Sequence, residues 1–136
     1  KDGGSFSTIA REMQAVTDLE QQRVAIRRAI AQANAGTTIT VEGQSRSIAD
    51  WLTWRREVAP ASLAFLRQVA SGVDRHRQEA LKRGVQTASV DAAKPGDIVV
   101  NVNEQALSKQ IEELEAVLGT LDGQLSLKNA TVTIQY

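Results

Sequence analysis

LSKQIEELEAVLGTLDGQL, residues 107–125, is the most regular stretch of this 136-residue sequence. Its apolar positions are separated alternately by four and three residues, and they form what we call the leucine seam: Leu107, Ile111, Leu114, Leu118, Leu121 and Leu125. A helix with this 3.5-residue repeat presents one continuous apolar line, which a second helix must cover along its length. The stretch predicts a long final helix, and we expect the first helix and part of the second to cover the seam.

An earlier apolar series predicts the first long helix. Its members are spaced mostly by three and four residues: Ile9, Met13, Val16, Leu19, Ile26 and Ile30. Ser7 is the predicted cap at the start of this helix, and Asn34 lies at its predicted end. Because Arg23 interrupts the series and Val24 lies off it, we expect packing in a bundle rather than in an ideal coiled coil.

The second helix is predicted to begin in the sequence SIAD, residues 47–50. Ser47 can cap the first free amides, and Asp50 falls in the positively polarised first turn. Pro60 removes a backbone donor and crowds the preceding turn, so we expect a kink or a short break near Ala59 rather than two separated elements. Gly84 is the predicted end of this helix.

Two similar segments follow helical patterns and are predicted to be strands. ANAGTTITV, residues 33–41, and KNATVTIQY, residues 128–136, share Asn-Ala and then alternate Thr with Val or Ile. The first is predicted to form a hairpin with QSRS, residues 44–47, and the second to add a third strand to the same sheet.

The predicted fold class is therefore α+β, mainly α. It consists of three long helices, the second kinked at Pro60, with a small antiparallel sheet at one end. We expect a single domain over residues 1–136, with a flexible lead-in at residues 1–5 and a long loop at residues 85–97. A composition of 42% hydrophobic and only 4% aromatic residues favours packed helices over a β-sandwich.

Charge and composition argue against several classes of function. Sixteen basic residues balance sixteen acidic ones, so no overall field attracts nucleic acid, and the absence of cysteine excludes thiolate chemistry. The apolar runs are shorter than the roughly 18 residues of a membrane span, and no signal peptide is visible. We expect a soluble protein of the virion or host cytoplasm, without a nucleic-acid or membrane partner.

Few residues could carry chemistry. His76 is the sole histidine and lacks an identifiable orienting group, so we interpret it as a solvated or interfacial residue rather than a general base. Glu112, Glu113 and Glu115 lie beside the leucine seam and are interpreted as a solvated face rather than as metal ligands. The basic middle helix could face phosphate, although pairing with the acidic final helix is favoured. No cofactor and no metal are expected.

Several short motifs carry a resemblance to a known family. They are Ala33-Asn34 with Thr37-Thr38, residues 43–50 leading into Trp51-Leu52, Val100-Asn101-Val102, and residues 129–134. Together they resemble the septicolysin-like family of small bacterial and phage-encoded proteins, and are similar to chains of uncharacterised role in phage structural gene clusters. Pro60 and the longer tail depart from that pattern. The cytolytic activity that the family name implies is not carried over, because no membrane-insertion segment is present.

The resulting functional hypothesis is a non-enzymatic structural or assembly protein, a phage virion component such as a head decoration or minor capsid protein. Its expected partners are further copies of itself or other virion proteins. The predicted interface combines the strand end with the tryptophan-bearing helix: Trp51, Trp54, Thr131, Val132, Thr133, Ile134 and Tyr136. Trp51 and Trp54 are three residues apart and share a helix face, and we interpret them as core or interface anchors rather than as a ligand platform. The alternatives are a cytosolic septicolysin-like binding module or regulator and, in third place, an enzyme that uses His76 with carboxylates.

Overall fold

The computed structural model describes residues 3–84, 87–89, 98–100 and 103–136. In chain order the elements are α1 (Gly3–Gly36), β1 (Thr38–Val41), β2 (Gln44–Ser47), α2 (Ile48–Thr53), a π-helical turn (Trp54–Val58), α3 (Ala59–Lys82), β3 (Thr87–Ser89), β4 (Ile98–Val100) and α4 (Glu104–Thr131). This set of elements confirms the predicted α+β, mainly α fold class with three long helices. The chain forms two compact units, one of Lys1–Asp50 with Leu125–Tyr136 and one of Trp51–Gln124.

Helix α1 begins earlier than the sequence predicts. It starts at Gly3, so residues 3–5 of the predicted flexible lead-in are helical. The Ser7 hydroxyl donates to the Gly4 carbonyl oxygen at 3.1 Å and therefore does not cap the helix. A serine hydroxyl can bond back to the preceding turn as well as cap free amides, and here it does the former.

The hairpin of β1 and β2 forms as predicted. Thr38 pairs with Ser47 and Val41 with Gln44 in antiparallel register. The turn residues Glu42 and Gly43 both have positive φ, 48° and 76°, as a two-residue type I′ turn requires. Alternate residues of β1 are buried, which makes the hairpin one wall of the core of its unit. The buried apolar residues of this unit are Ala29, Ile39, Val41, Ile48 and Leu125.

The capping prediction for the second helix is confirmed. The Asp50 amide donates to the Ser47 hydroxyl at 3.0 Å, which satisfies one free amide at the start of α2. The Ile48 amide donates to the Thr37 carbonyl oxygen at 2.9 Å and ties this helix start to the beginning of the hairpin.

Pro60 leaves the second long helix continuous, as expected. The disturbance takes the form of the π-helical turn, in which the Ala59 amide donates to the Trp54 carbonyl oxygen five residues earlier. A proline ring clashes with the carbonyl four residues before it, here that of Arg56, and a locally widened turn accommodates it. The buried apolar residues of this second unit are Trp51, Ala59, Ala80, Leu107 and Leu121.

Gly84 ends the second helix as predicted, with φ of +72°. The segment predicted as a loop, residues 85–97, contains the strand β3, which pairs in parallel with β4 in the register Thr87 to Ile98. Three-residue strands carry too little periodicity to be separated from loop by pattern alone. The remainder of residues 85–97 lies outside the described residues.

The predicted third strand of the sheet is wrong. Helix α4 continues through Asn129 and Ala130 to Thr131, and residues 132–136 have no regular secondary structure. The Thr131 hydroxyl donates to the Leu127 carbonyl oxygen at 3.0 Å, so this threonine is accommodated inside the helix. The first Asn-Ala pair is followed by Gly36, a poor helix former, whereas the second pair is followed by threonine.

Candidate interaction surface

The most exposed apolar surface of the described chain lies on α1. Every residue from 4 to 25 is exposed. The apolar series of this helix, to which we add Phe6 and the interrupting Arg23, is here named the α1 stripe: Phe6, Ile9, Met13, Val16, Leu19, Arg23, Ile26 and Ile30. Phe6 is 78% exposed, Met13 66% and Leu19 64%. Over residues 4–25 the first helix thus buries none of the side chains with which it is predicted to cover the leucine seam.

The last turns of α1 differ from the rest of the helix. Ala29 is buried, Ile26 is partly buried, and Ile30 remains 44% exposed. Within this unit α1 also contacts β2. The helix is thus anchored to its own compact unit at its C-terminal end, while its N-terminal part carries the stripe on an open surface.

The leucine seam is covered instead. Leu107, Leu121 and Leu125 are buried, with Leu121 fully inaccessible. The three intervening positions of the seam, Ile111, Leu114 and Leu118, are partly buried.

In the unit Trp51–Gln124, ion pairs join α4 to the second long helix, here the π-helical turn and α3. Arg55 pairs with Asp122 at 3.1 Å, Arg67 pairs with Glu115 at 2.6 Å, and Arg77 pairs with Glu104. The acidic partner moves towards the start of α4 as the arginine moves along the second helix, so the two helices run antiparallel. The favoured reading of the basic middle helix, pairing with the acidic final helix, is confirmed for these three arginines.

The two tryptophans have different environments. Trp51 is 1% exposed, so it belongs to the core and is not presented on the surface as the predicted interface requires. Trp54 is partly buried, and its ring meets that of Trp51 edge to face at 5.5 Å and 88°. Such pairs favour a defined core arrangement. Because residues three apart share a helix face, the sequence predicts that the two tryptophans lie close together. It does not predict that this face is buried.

The terminal residues of the predicted interface do not form a strand edge. Thr131 ends α4, and the following residues lie on the surface, with Tyr136 76% exposed and Ile134 partly buried. Val132 and Thr133 are also exposed. Without a strand, main-chain pairing with a neighbouring chain has no template in this segment.

The residues considered for chemistry remain dispersed. His76 is largely exposed, and its Nδ1 lies 3.9 Å from the Glu79 carboxylate on the same helix. Glu113 pairs with Lys109 at 3.7 Å within α4. Among the described residues no polar or charged side chain is buried, and no group of three potential metal ligands occurs. The arrangement therefore offers no enclosed, oriented acid, base or nucleophile there.

A shallow depression of about 380 Å³ also lies on α1, lined by Thr17, Glu20, Gln21, Val24, Ala25 and Arg28. All six lining residues belong to one helix, so the depression is open to solvent and has no opposing wall. Ligand sites normally enclose most of their ligand and place converging polar groups around it. We therefore assign this region to the surface beside the stripe rather than to a small-molecule site.

None of the described helices combines the length and hydropathy needed to span a membrane. Comparison with protein-family models, curated proteins and solved structures finds no match for the chain. The resemblance to the septicolysin-like family accordingly stays a prediction. The α1 stripe is the surface on which a functional proposal can be built. Its heptad-like spacing was the signal in the sequence, and its exposure is what the sequence did not reveal.

Proposed function

We propose that this protein is a non-enzymatic structural or assembly protein that acts through protein–protein contacts made by the α1 stripe. The observation that supports the proposal is the open apolar line on a helix of 34 residues, which is about 51 Å long at 1.5 Å per residue. Contiguous exposed apolar surface on a soluble protein usually marks an interaction site.

The energetics favour a helical partner. Burial of a large apolar side chain contributes about 1.5–3 kcal/mol, and the stripe offers several such side chains in one line. Association costs an estimated 4–15 kcal/mol of lost freedom, which a few of them would offset. Because the stripe is long and narrow, an amphipathic helix fits it better than a compact ligand does.

The setting of this assembly is the finer part of the proposal. The likeness to chains of phage structural gene clusters supports a virion component, such as a head decoration or minor capsid protein, whose partners are copies of itself or other virion proteins. We also expect the centre of the contact to be apolar, because the large side chains of the stripe up to Leu19 are uncharged and the charged residues flank them.

Photo-crosslinking tests the proposal directly. A photoreactive amino acid is introduced at Met13 in the stripe or at Gln14, which lies away from it, and cross-links are mapped in cells that produce the protein in its native genetic context. We expect macromolecular cross-links from position 13 and few from position 14. Equal or absent cross-linking at both positions would contradict a role for the stripe.

A charged substitution supplies the second readout. Leu19→Lys should remove the associations of the full chain while circular dichroism retains its helical signal, because Leu19 makes little contact within its own fold. Gln14→Lys is the matched control, since the introduced lysine lies off the stripe and can still pair with Asp18, which now accepts a hydrogen bond from Gln14 at 2.8 Å. Unchanged association in Leu19→Lys would exclude the stripe as the contact surface.

A further inference from the structure

We propose that the partner of the α1 stripe is the α1 stripe of a second copy of this chain, running antiparallel about a two-fold axis that passes beside Leu19 and Glu20. This inference rests on the proposed function and names the partner that the function leaves open. It follows from two properties of the stripe, its spacing and its charges.

Six positions of the stripe between Ile9 and Ile30 are spaced symmetrically, three on each side of a centre between Leu19 and Glu20. From Ile9 the next positions follow at four and then three residues, at Met13 and Val16. Read backwards from Ile30, the next positions also follow at four and then three residues, at Ile26 and Arg23.

An antiparallel copy aligned about this centre brings the matching positions together. Ile9 then faces Ile30 of the second copy, Met13 faces Ile26, and Val16 faces Arg23. Leu19 lies next to the axis, where the two copies of this exposed leucine meet. A two-fold contact of this kind is self-complementary, because every contact occurs twice.

The charges along α1 favour the antiparallel direction over the parallel one. Glu12, Asp18 and Glu20 precede the basic residues Arg23, Arg27 and Arg28, and only Arg11 departs from this order. In the antiparallel pair Glu12 faces Arg27 of the second copy, while Arg11 faces Arg28. A parallel pair in register would place Arg23 against Arg23 in the middle of the stripe, with acid beside acid and base beside base. Like charges in contact disfavour that arrangement.

The antiparallel pair places Arg23 beside carboxylates instead. Arg23 faces Val16 of the second copy, and Glu12 and Glu20 lie one helical turn on either side of that valine. The guanidinium can remain at the edge of the apolar line while its stem covers the valine. The charge that interrupts the stripe in one chain thus becomes a pairing group between two chains.

The exposed side chains are available for this contact in the isolated chain. Ile9, Val16 and Arg23 are all exposed. Ile26 is only partly exposed because it lies near the anchored end of the helix, so the centre of the contact falls on the open part of α1. The pair would extend over residues 9–30 of both chains, about 32 Å.

Cysteine cross-linking decides the direction. The chain has no cysteine, so a single introduced one reports without interference. An equimolar mixture of the full-length variants Ile9→Cys and Ile30→Cys, carrying tags of different mass, is oxidised mildly. We expect a disulfide between the two variants, and little dimer from Ile9→Cys alone. Efficient dimer from Ile9→Cys alone would show a parallel pair and overturn the proposal.

Charge reversal tests the pairing by an independent route. Arg23→Glu should weaken self-association by about tenfold or more in sedimentation equilibrium, because it brings a third carboxylate next to Glu12 and Glu20 of the second copy. The double variant Glu12→Arg/Glu20→Arg should weaken it similarly, and mixing the two variants should restore association as a heterodimer. Restoration by mixing Arg23→Glu with the unmodified chain instead would indicate parallel pairing. All three residues are exposed, and circular dichroism checks that each variant remains folded.

The outcomes separate this inference from the proposed function. If the purified chain stays monomeric at high concentration while position 13 cross-links to a different protein, the self-pairing inference is overturned and the assembly role stands. If the chain is monomeric and position 13 cross-links to nothing, both are overturned. Concentration-dependent dimers that form the expected mixed disulfide support both.

Discussion

Helices α1 and α4 carry apolar series of similar spacing, and the structure treats them differently. In α4 every position of the leucine seam is buried or partly buried, and Leu121 is inaccessible to solvent. In α1 the corresponding line is open, and Leu19 is 64% exposed. A heptad-like spacing therefore indicates a need for a partner helix and does not say whether that partner belongs to the same chain.

The surroundings of the two lines explain the difference. The second helix presents Arg55, Arg67 and Arg77 in an order that meets the acidic residues of α4 only when the helices run antiparallel. Individually such exposed pairs contribute about 0–1 kcal/mol, so they set the register more than they stabilise the fold. Within the described residues of the unit Lys1–Asp50 with Leu125–Tyr136, no such ion pair involves α1.

Truncation of one leucine in each helix gives the largest expected contrast. Leu121→Ala should lower the free energy of unfolding by about 2–5 kcal/mol, because it removes apolar contacts and leaves a cavity in a closed site. Leu19→Ala should change it by about 0.5 kcal/mol or less when measured at a concentration where the chain is monomeric. Urea denaturation followed by circular dichroism measures both. A loss in Leu19→Ala as large as that in Leu121→Ala would show that α1 is covered within its own chain.

Much of this contrast could be predicted from the sequence, but not all of it. The three long helices, the hairpin and the Ser47 cap follow from periodicity and from local rules that act over a few residues. The first helix was expected to cover the seam because α1 has the right spacing and length. Which helix fills a seam depends on contacts between distant residues, and those are not expressed in the spacing of either helix.

The other incorrect predictions concern residues that suit two alternative local structures. The terminal Asn-Ala-Thr segment resembles the earlier one in sequence, yet helical hydrogen bonding continues through it to Thr131. Ser7 has the chemistry of a cap and instead donates to Gly4 inside the helix. Trp51 is predicted as a core or interface anchor, and the structure buries it in the core, where it uses the same apolar area that an interface would use. In each case one residue type serves two structures, and the surrounding chain selects between them.

The candidate surface was the least predictable feature. The spacing of the α1 series is visible in the sequence, where it indicates packing in an internal bundle, and the predicted cap at Ser7 places Phe6 before the helix. Exposure is a property of the whole fold, so a single sequence without its contacts does not express it. The symmetry of six stripe positions about a centre between Leu19 and Glu20, in contrast, is present in the sequence and acquires meaning only once the surface is known to be open.

Helix caps offer a contrast of intermediate size. The Asn103 side-chain oxygen accepts a hydrogen bond from the Ala106 amide at 3.0 Å and caps the start of α4. Asn103→Ala should therefore cost about 1 kcal/mol of unfolding free energy. Ser7→Ala should cost much less, because its hydroxyl bonds to a carbonyl that the helix can satisfy without it. Thermal unfolding of both variants under identical conditions checks the difference, and equal losses would place a genuine cap at Ser7.

The smallest expected effect concerns the polar pairs of the two helices. Arg67 and Glu115 join two helices at 2.6 Å, although their side chains are 61% and 49% exposed. A double-mutant cycle of Arg67→Gln and Glu115→Gln should give a coupling energy of about 0.2–1 kcal/mol that decreases as salt is added.

On α1, Gln14 and Asp18 are joined only along one helix, and the same cycle with alanine should give about 0.2–0.5 kcal/mol with little dependence on salt, since glutamine is uncharged. If the coupling energy between Arg67 and Glu115 is zero while the leucine seam remains buried, apolar contact alone fixes the antiparallel arrangement of α3 and α4. The arginines are then dispensable for the register of these two helices. In that event the charges of α1 would be weaker support for an antiparallel direction of self-pairing, and the cysteine cross-links alone would decide that direction.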